Sequence, residues 1–325
     1  MVKVSVDLMG GDNAPVKIEE GILKAVEEDS TLEIKAYGLP GSFTKSHPQV
    51  EFIEVSEKID SEDDPVKSVR RKKDSSLVRA AKAVKDREAD ACVSAGNTGA
   101  IMAAGLFAVG RIKGVERPAI ASILPSMDRR GMMFLDMGAN SDNKPNHLYQ
   151  FAVMGSIYME VMENRKSPRV GLVNIGSEDI KGNELTKEAY KLLKDSDLNF
   201  TGNFETRDIL NGVVDIAVTD GFTGNVVLKT IEGTATSMLK EIKGAFLKNA
   251  LNKIAALILK KDFGEIRDLL DYRQYGGAPL LGLDGNVLKA HGSSDGVAIY
   301  NAIKQAKRMA EADAVSIIKE KVGIE

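Results

Sequence analysis

The chain carries a single cysteine, Cys92, so no disulfide can form within it. That fits a reducing compartment. Cys92 lies inside an apolar run and reads as a buried packing thiol rather than a reactive one. No apolar run approaches the roughly 20 residues of a membrane-spanning helix. The opening segment Met1–Asp7 reads as a strand and lacks the apolar stretch and small-residue cleavage site of a signal peptide. These absences predict a cytoplasmic protein that is not integral to a membrane. A net charge of −3 is too near neutral for a chain built to coat nucleic acid. The three histidines, His47, His147 and His291, are scattered without metal-ligand spacing, so no metal site is expected. Neither a Walker A loop nor a Gly-x-Gly-x-x-Gly fingerprint is found, and no cofactor is expected. No Gly-x-Ser-x-Gly elbow presents a serine nucleophile, although His291 stands near Ser293 and Ser294. The substrate itself is therefore expected to attack.

What is present is a regular alternation. With 325 residues, 43% of them hydrophobic, the chain can bury a sizeable core. Short β-rich runs are predicted at Val2–Leu8, Leu32–Tyr37, Val50–Val55, Ala89–Ser94, Ala119–Leu124, Gly131–Met137, Arg169–Ile175, Leu198–Gly202 and Val213–Thr219. Helical patterns lie between most of them, at Val16–Glu28, Pro65–Arg87, Thr98–Arg111, Pro145–Glu163, Glu184–Asp195 and Val226–Lys243. Such alternation predicts βαβ units and a mainly parallel sheet covered on both faces. Pro15 suits the first turn of its helix, with Asp12 or Asn13 as a cap. The alternation breaks near 243–275, where two helices follow with no strand between them. A Gly-rich stretch, a strand at Asn286–Ala290 and a closing helix from Ser294 complete the chain. With no linker or repeat, residues 1–325 read as a single α/β domain with one helical excursion.

The loops after the strands carry the chemical signal. Asp7–Asp12, Ser94–Gly99, Asp136–Asn140, the Asn174–Gly176 turn leading to Lys181–Glu184, and Asp220–Asn225 all bear glycine, and four of the five bear asparagine. In a parallel sheet the carboxyl ends share one edge, where ligands bind. Glycine lets backbone approach a ligand, and each following helix offers unpaired N–H groups to an anion. Asparagine adds uncharged donors, which suit an oxyanion present only in a transition state. Turn chemistry explains any one such loop. Five on one edge point to phosphate or another small anion. Lys181, beside Gly182 and Asn183, is the charged candidate to anchor it.

Several long motifs in order resemble one family, the phosphate acyltransferases of phospholipid synthesis (PlsX). They are Val6–Asp12, Ser94–Ala100, Asp136–Asn140, Ile180–Glu184, Asp220–Asn225, Tyr275–Gly282 and Ala290–Ser294, spread over nearly the whole chain. The resemblance implies a three-layer α/β/α Rossmann-like sandwich, similar to isopropylmalate dehydrogenase and phosphotransacetylase, in a homodimer. It implies transfer of a long-chain fatty acyl group from acyl carrier protein to inorganic phosphate, giving acyl phosphate. It places Lys181 and Asn225 at the family's active-site Lys and Asn positions. Gly10, Gly11, Asp12, Asn97, Thr98, Asp136, Asn140, Asn183, Thr223, Gly224 and His291 then become the expected phosphate and substrate contacts.

Acyl carrier protein is acidic, so its dock should be basic, and Arg70–Lys73 and Arg129–Arg130 are candidates. In the excursion, Leu251, Ile254, Leu257 and Ile258 lie among lysines. That pattern suits a helix resting on an anionic membrane, or equally a helix packed at a dimer interface. Three other readings stay open: a phosphotransacetylase acting on acyl-CoA, a nicotinamide-dependent decarboxylating dehydrogenase, and a non-catalytic acyl-carrier or nucleotide-binding regulator.

Overall fold

The computed structural model describes residues 1–269 and 276–322. Tyr275, at the start of one family motif, and the end of the 243–275 excursion lie outside the described residues. The strands are β1 (Val2–Asp7), β2 (Leu32–Gly38), β3 (Val50–Glu54), β4 (Ala91–Ser94), β5 (Ala119–Leu124), β6 (Met132–Leu135), β7 (Val170–Asn174), β8 (Phe200–Glu205), β9 (Ile216–Val218), β10 (Ala278–Leu281) and β11 (Asn286–Lys289). They form one sheet in the order β3-β2-β1-β4-β11-β10-β5-β6-β9-β7-β8.

The sheet is not parallel throughout. β3, β2, β1, β4 and β11 run parallel to one another, and so do β6, β9, β7 and β8. Between these blocks lie three antiparallel pairings in a row, β11 with β10, β10 with β5, and β5 with β6. Three reversals leave the two blocks pointing in opposite directions. Their carboxyl ends therefore lie on opposite edges, and the expected single edge of five loops is corrected to two groups.

The helices are α1 (Val16–Glu28), α2 (Pro65–Arg71), α3 (Ser76–Lys85), α4 (Thr98–Ala104), α5 (Pro145–Glu163), α6 (Glu184–Lys194), α7 (Gly221–Leu247), α8 (Ala250–Ile258), α9 (Lys260–Leu269), α10 (Gly296–Glu311) and α11 (Ala314–Val322). They cover both faces of the sheet. Successive strand residues face opposite ways. Ala91 and Val93 accordingly join the core under α1, α5 and α10, while Cys92 between them joins the core under α3 and α4. The same alternation sends Met133 and Leu135 to the first core and Met132 and Phe134 to the second. The result is a three-layer α/β/α sandwich.

Local sequence explains most boundaries. Pro145 opens α5, and Asn164 in the left-handed region (φ 50°) closes it. α1 carries no side-chain cap, because Pro15, not Asp12 or Asn13, stands at the cap position and has no side-chain acceptor; the Asn13 amide donates instead to the carbonyls of Ser293 and Ser294. The single helix expected over Pro65–Arg87 breaks at 72–75. There the Asp74 carboxylate accepts from Ser56 N and Arg79, and Lys72 reaches Asp63. The Gly-rich stretch hides β10, whose four residues span the centre of the sheet. The closing helix is two, α10 and α11, parted at Asp313 with φ 48°.

Candidate active site

On the first edge, the loops after β1, β4 and β11 knit together. The buried Asp7 carboxylate accepts from Ser94 Oγ at 2.6 Å and Met9 N at 3.2 Å, and burial pushes its pKa up. A β-carbon on Gly10 would lie 2.5 Å from that carboxylate and 2.7 Å from Gly96 N, so only glycine fits. Gly11 takes φ +102° beside Gly292 O, and Asp12 N donates to Gly292 O at 2.8 Å. Asn97 caps α4 by accepting from Ala100 N at 3.1 Å, while its amide donates to Ser61 O. Gly10, Gly11, Asp12 and Asn97 thus tie this edge into one unit, which carries Thr98 and His291.

On the second edge, Asp136 is the organising residue. Its fully buried carboxylate accepts from Ile120 N, Ala139 N, Asn140 N and the Asn140 amide, all within 3.1 Å. Burial pushes its pKa up to about 6, and those donors hold it down from going further. Asn140 also donates to Pro118 O at 2.8 Å. The first turn of α7 packs on this loop. Asp220 caps it through Thr223 N and Thr223 Oγ, and Gly221 and Gly224 permit the close approach. Gly138, at φ +107°, faces Asn225.

The helix α7 joins the two edges. It starts against Asp136 and runs across the sheet face. Eleven residues beyond Gly221, or about 16 Å at 1.5 Å per residue, Glu232 comes within 3.9 Å of His291 Nε2 on the first edge. Beneath it lies a cleft of about 190 Å³ lined by Asn225, Leu228, Lys229 and Glu232 of α7. Its opposite side is formed by Ile120, Ser122 and Leu124 from one face of β5, by Met137 and Gly138, and by Thr98, Ala278, Lys289 and His291. Positions 225, 229 and 232 share one helix face. Lys229 Nζ pairs with Glu232 at 2.7 Å. His291 Nδ1 lies 2.9 Å from Ser293 Oγ, and burial followed by Lys289 lowers its pKa. Burial, with Lys229 nearby, lowers that of Lys289.

Of the expected residues, this cleft unites Asn225, Thr98 and His291. Asp136, Asn140, Thr223 and Gly224 shape its second-edge end from behind. Lys181 and Asn183 are on the loop after β7 and do not line it. Lys181 is half exposed and 3.9 Å from Glu178, and Asn183 caps α6 through Thr186 N.

Residues 2–317 match the family described as fatty acid synthesis protein. A phosphate acyltransferase from Staphylococcus haemolyticus is 53% identical over 324 residues, which is 99% of each chain. One from Staphylococcus aureus is 52% identical over the same share. The chain belongs to this family of acyltransferases. Among solved structures, a phosphotransacetylase from Streptococcus pyogenes superposes with a TM-score of 0.62 at 15% identity, over 97% of this chain and 94% of that one. A branched-chain phosphotransacylase from Enterococcus faecalis gives 0.60 at 13% identity, over 95% and 99%. At those identities the likeness is one of fold, and it is the phosphotransacetylase-like sandwich anticipated from the motifs.

Sequence reasoning passed over three charged residues of the phosphate acyltransferase cleft: Lys229, Glu232 and Lys289. The signals were there. Asn225, Lys229 and Glu232 fall at i, i+4 and i+7 of a helix, and Lys289 ends the apolar strand Asn286–Lys289 two residues before His291. The residues of the excursion, Leu251, Ile254, Leu257 and Ile258, are 56–78% exposed on α8. Among the described residues, no helix is long and apolar enough to cross a membrane.

Proposed function

We propose that this protein transfers a long-chain fatty acyl group from acyl carrier protein to inorganic phosphate, releasing free carrier and an acyl phosphate for phospholipid synthesis. The observation that carries the reading is a small cleft holding an uncharged amide donor, Asn225, together with two lysines. Its volume is below the roughly 300–1,000 Å³ of drug-sized ligand sites. It suits a small anion and the reacting end of a thioester rather than a whole acyl chain.

In the proposed reaction a phosphate oxygen attacks the thioester carbonyl carbon. The Asn225 amide donates to the tetrahedral oxyanion, and the carbon–sulfur bond then breaks with its electron pair leaving on the thiolate. A thiolate leaves readily, so no strong general acid is needed. Positioning the two reactants supplies much of the acceleration. Lys181, on the neighbouring loop of the second edge, draws the anion to that edge. Thr98 and His291 bound the cleft on the other.

Docking of the acidic carrier is assigned to the basic face at the end of α2, where Arg70, Arg71 and Lys73 are exposed; Lys72 is engaged by Asp63. Arg129–Arg130 is the second candidate, with Arg130 paired to Asp128. The reading includes a homodimer. It also includes a cytoplasmic, peripherally membrane-associated location, with Leu251, Ile254, Leu257 and Ile258 meeting the lipid and Lys253 beside them.

The test is release of free carrier thiol from long-chain acyl carrier protein, with and without phosphate, with hydroxylamine trapping the acyl phosphate. Phosphate-dependent release supports the reading. No release from folded protein, with short-chain acyl-CoA also inert, would remove it.

A further inference from the structure

Lys289 is an unusual residue for its place. It ends a strand at the centre of the sheet, and its partly buried side chain lines the cleft. Among the described residues its ammonium makes one long hydrogen bond, 3.4 Å to Ala290 O. Among the described residues no carboxylate lies within ion-pair distance of its ammonium. Partial burial of an ammonium without a partner carries a desolvation cost, and charges drawn out of water are ordinarily paired. Among the described residues, the carboxylate that lines the cleft is Glu232, and it is held by Lys229 at 2.7 Å. Among the described residues of the lining, two lysines thus share one carboxylate, which leaves a net positive charge in a small space. A bound anion would supply the missing counter-charge at Lys289.

We propose that Lys289 and Lys229 form the phosphate subsite of this cleft, Lys289 as the anchor at the strand end and Lys229 as the second cation, with Glu232 holding Lys229 in place over the sheet. The subsite shares its cleft with Asn225, which lies about one helical turn from Lys229 along α7. It differs from the expected anchor Lys181, which lies on another loop outside the cleft. A lysine suits the task as a compact point charge for phosphate. Burial and the neighbouring Lys229 lower the pKa of Lys289, and an anion between the two lysines would oppose that shift. The inference rests on the acyl-transfer reading for its substrate but not for its geometry.

The experiment compares full-length wild type with Lys289→Met, Lys229→Met and Lys181→Ala. It measures KM for phosphate and for acyl carrier protein thioester, and the thermal midpoint with and without inorganic phosphate. Methionine keeps the apolar stem of lysine and removes the charge. Loss of a charge-assisted contact predicts a rise of about tenfold or more in phosphate KM for Lys289→Met, with the acyl-donor KM changed less than about twofold. The phosphate-induced rise in midpoint, present in wild type by mass action, should vanish. Without phosphate, Lys289→Met should melt no lower than wild type, because an unpaired, partly buried charge has been removed. If Lys289→Met does not fold, Lys229→Met, an exposed position on α7, carries the same KM prediction. Unchanged phosphate KM in both variants overturns the proposal. So does a rise confined to Lys181→Ala, which would seat phosphate on the loop after β7. If wild type shows no phosphate-dependent thiol release but keeps a phosphate-induced midpoint shift that Lys289→Met abolishes, the acyl-transfer reading fails and the subsite stands.

Discussion

Gly224 meets Asp136 so closely that a β-carbon at position 224 would lie 1.9 Å from the Asp136 carbonyl oxygen. The first turn of α7 is seated directly on the loop after β6, and the position of Asn225 follows from that contact. Gly224→Ala forces the helix off its seat. Overpacking of this kind costs about 1–3 kcal/mol, so urea unfolding should show a lowered midpoint, and turnover should fall with it. A variant with wild-type stability and rate would mean that α7 does not rest there.

Asp136 predicts a pH dependence. Its folded-state pKa of about 6 lies above the ordinary 3.8 of the unfolded chain. Between those values the native state binds the extra proton, so this residue's contribution is fully present below about pH 4 and is lost as pH rises through about 6. Asp136→Asn removes that component and turns one acceptor into a donor facing Asn140 N and the Asn140 amide. Unfolding free energy measured from pH 4 to 7 should be lower than wild type throughout, by about 1–3 kcal/mol for the unsatisfied groups. The falling slope assigned to Asp136 should be gone. An identical slope in the variant would assign it elsewhere.

Asn225→Ala separates catalysis from folding. The Asn225 side chain is exposed to the cleft and makes no hydrogen bond among the described residues. The thermal midpoint should therefore hold, while kcat falls by roughly 10²–10³, the usual loss for one oxyanion donor. Unchanged turnover would take Asn225 out of the reaction.

Leu257 is 72% exposed on α8, a helix with no buried residue. Leu257→Glu should leave stability within about 0.5 kcal/mol and abolish flotation with anionic liposomes. Undiminished flotation, with a shift from dimer to monomer in light scattering, would give the face to a dimer interface instead.

The architecture was legible because its signals are local. Short β-rich runs gave ten of the strands, and Pro145 marked a helix start, whereas the Asx cap expected for α1 at Asp12 or Asn13 did not form. Direction was not legible, since a strand's hydrophobic pattern is the same whichever way it runs. β10 hid among glycines, and without it the reversal between β11 and β6 could not be counted. The same gap affected the site. Asn225, Thr98 and His291 stood out by residue type and motif, but Lys229, Glu232 and Lys289 looked like ordinary charges until α7 was laid across the sheet. Lys181 stood out for its loop, and that loop belongs to a neighbouring strand.

The position of β11 bears on how the molecule comes into being. This strand is made late in the chain, yet it is inserted between β4 and β10, in the middle of the sheet. Until a ribosome has delivered residues 278–289, the two parallel blocks have no seam to join them. A nascent chain that already carries Asn225 and Lys229 has no Lys289 opposite them. A polypeptide cut short before residue 286 would possess the helix α7 but lack β11 and, with it, the Lys289 and His291 side of the cleft.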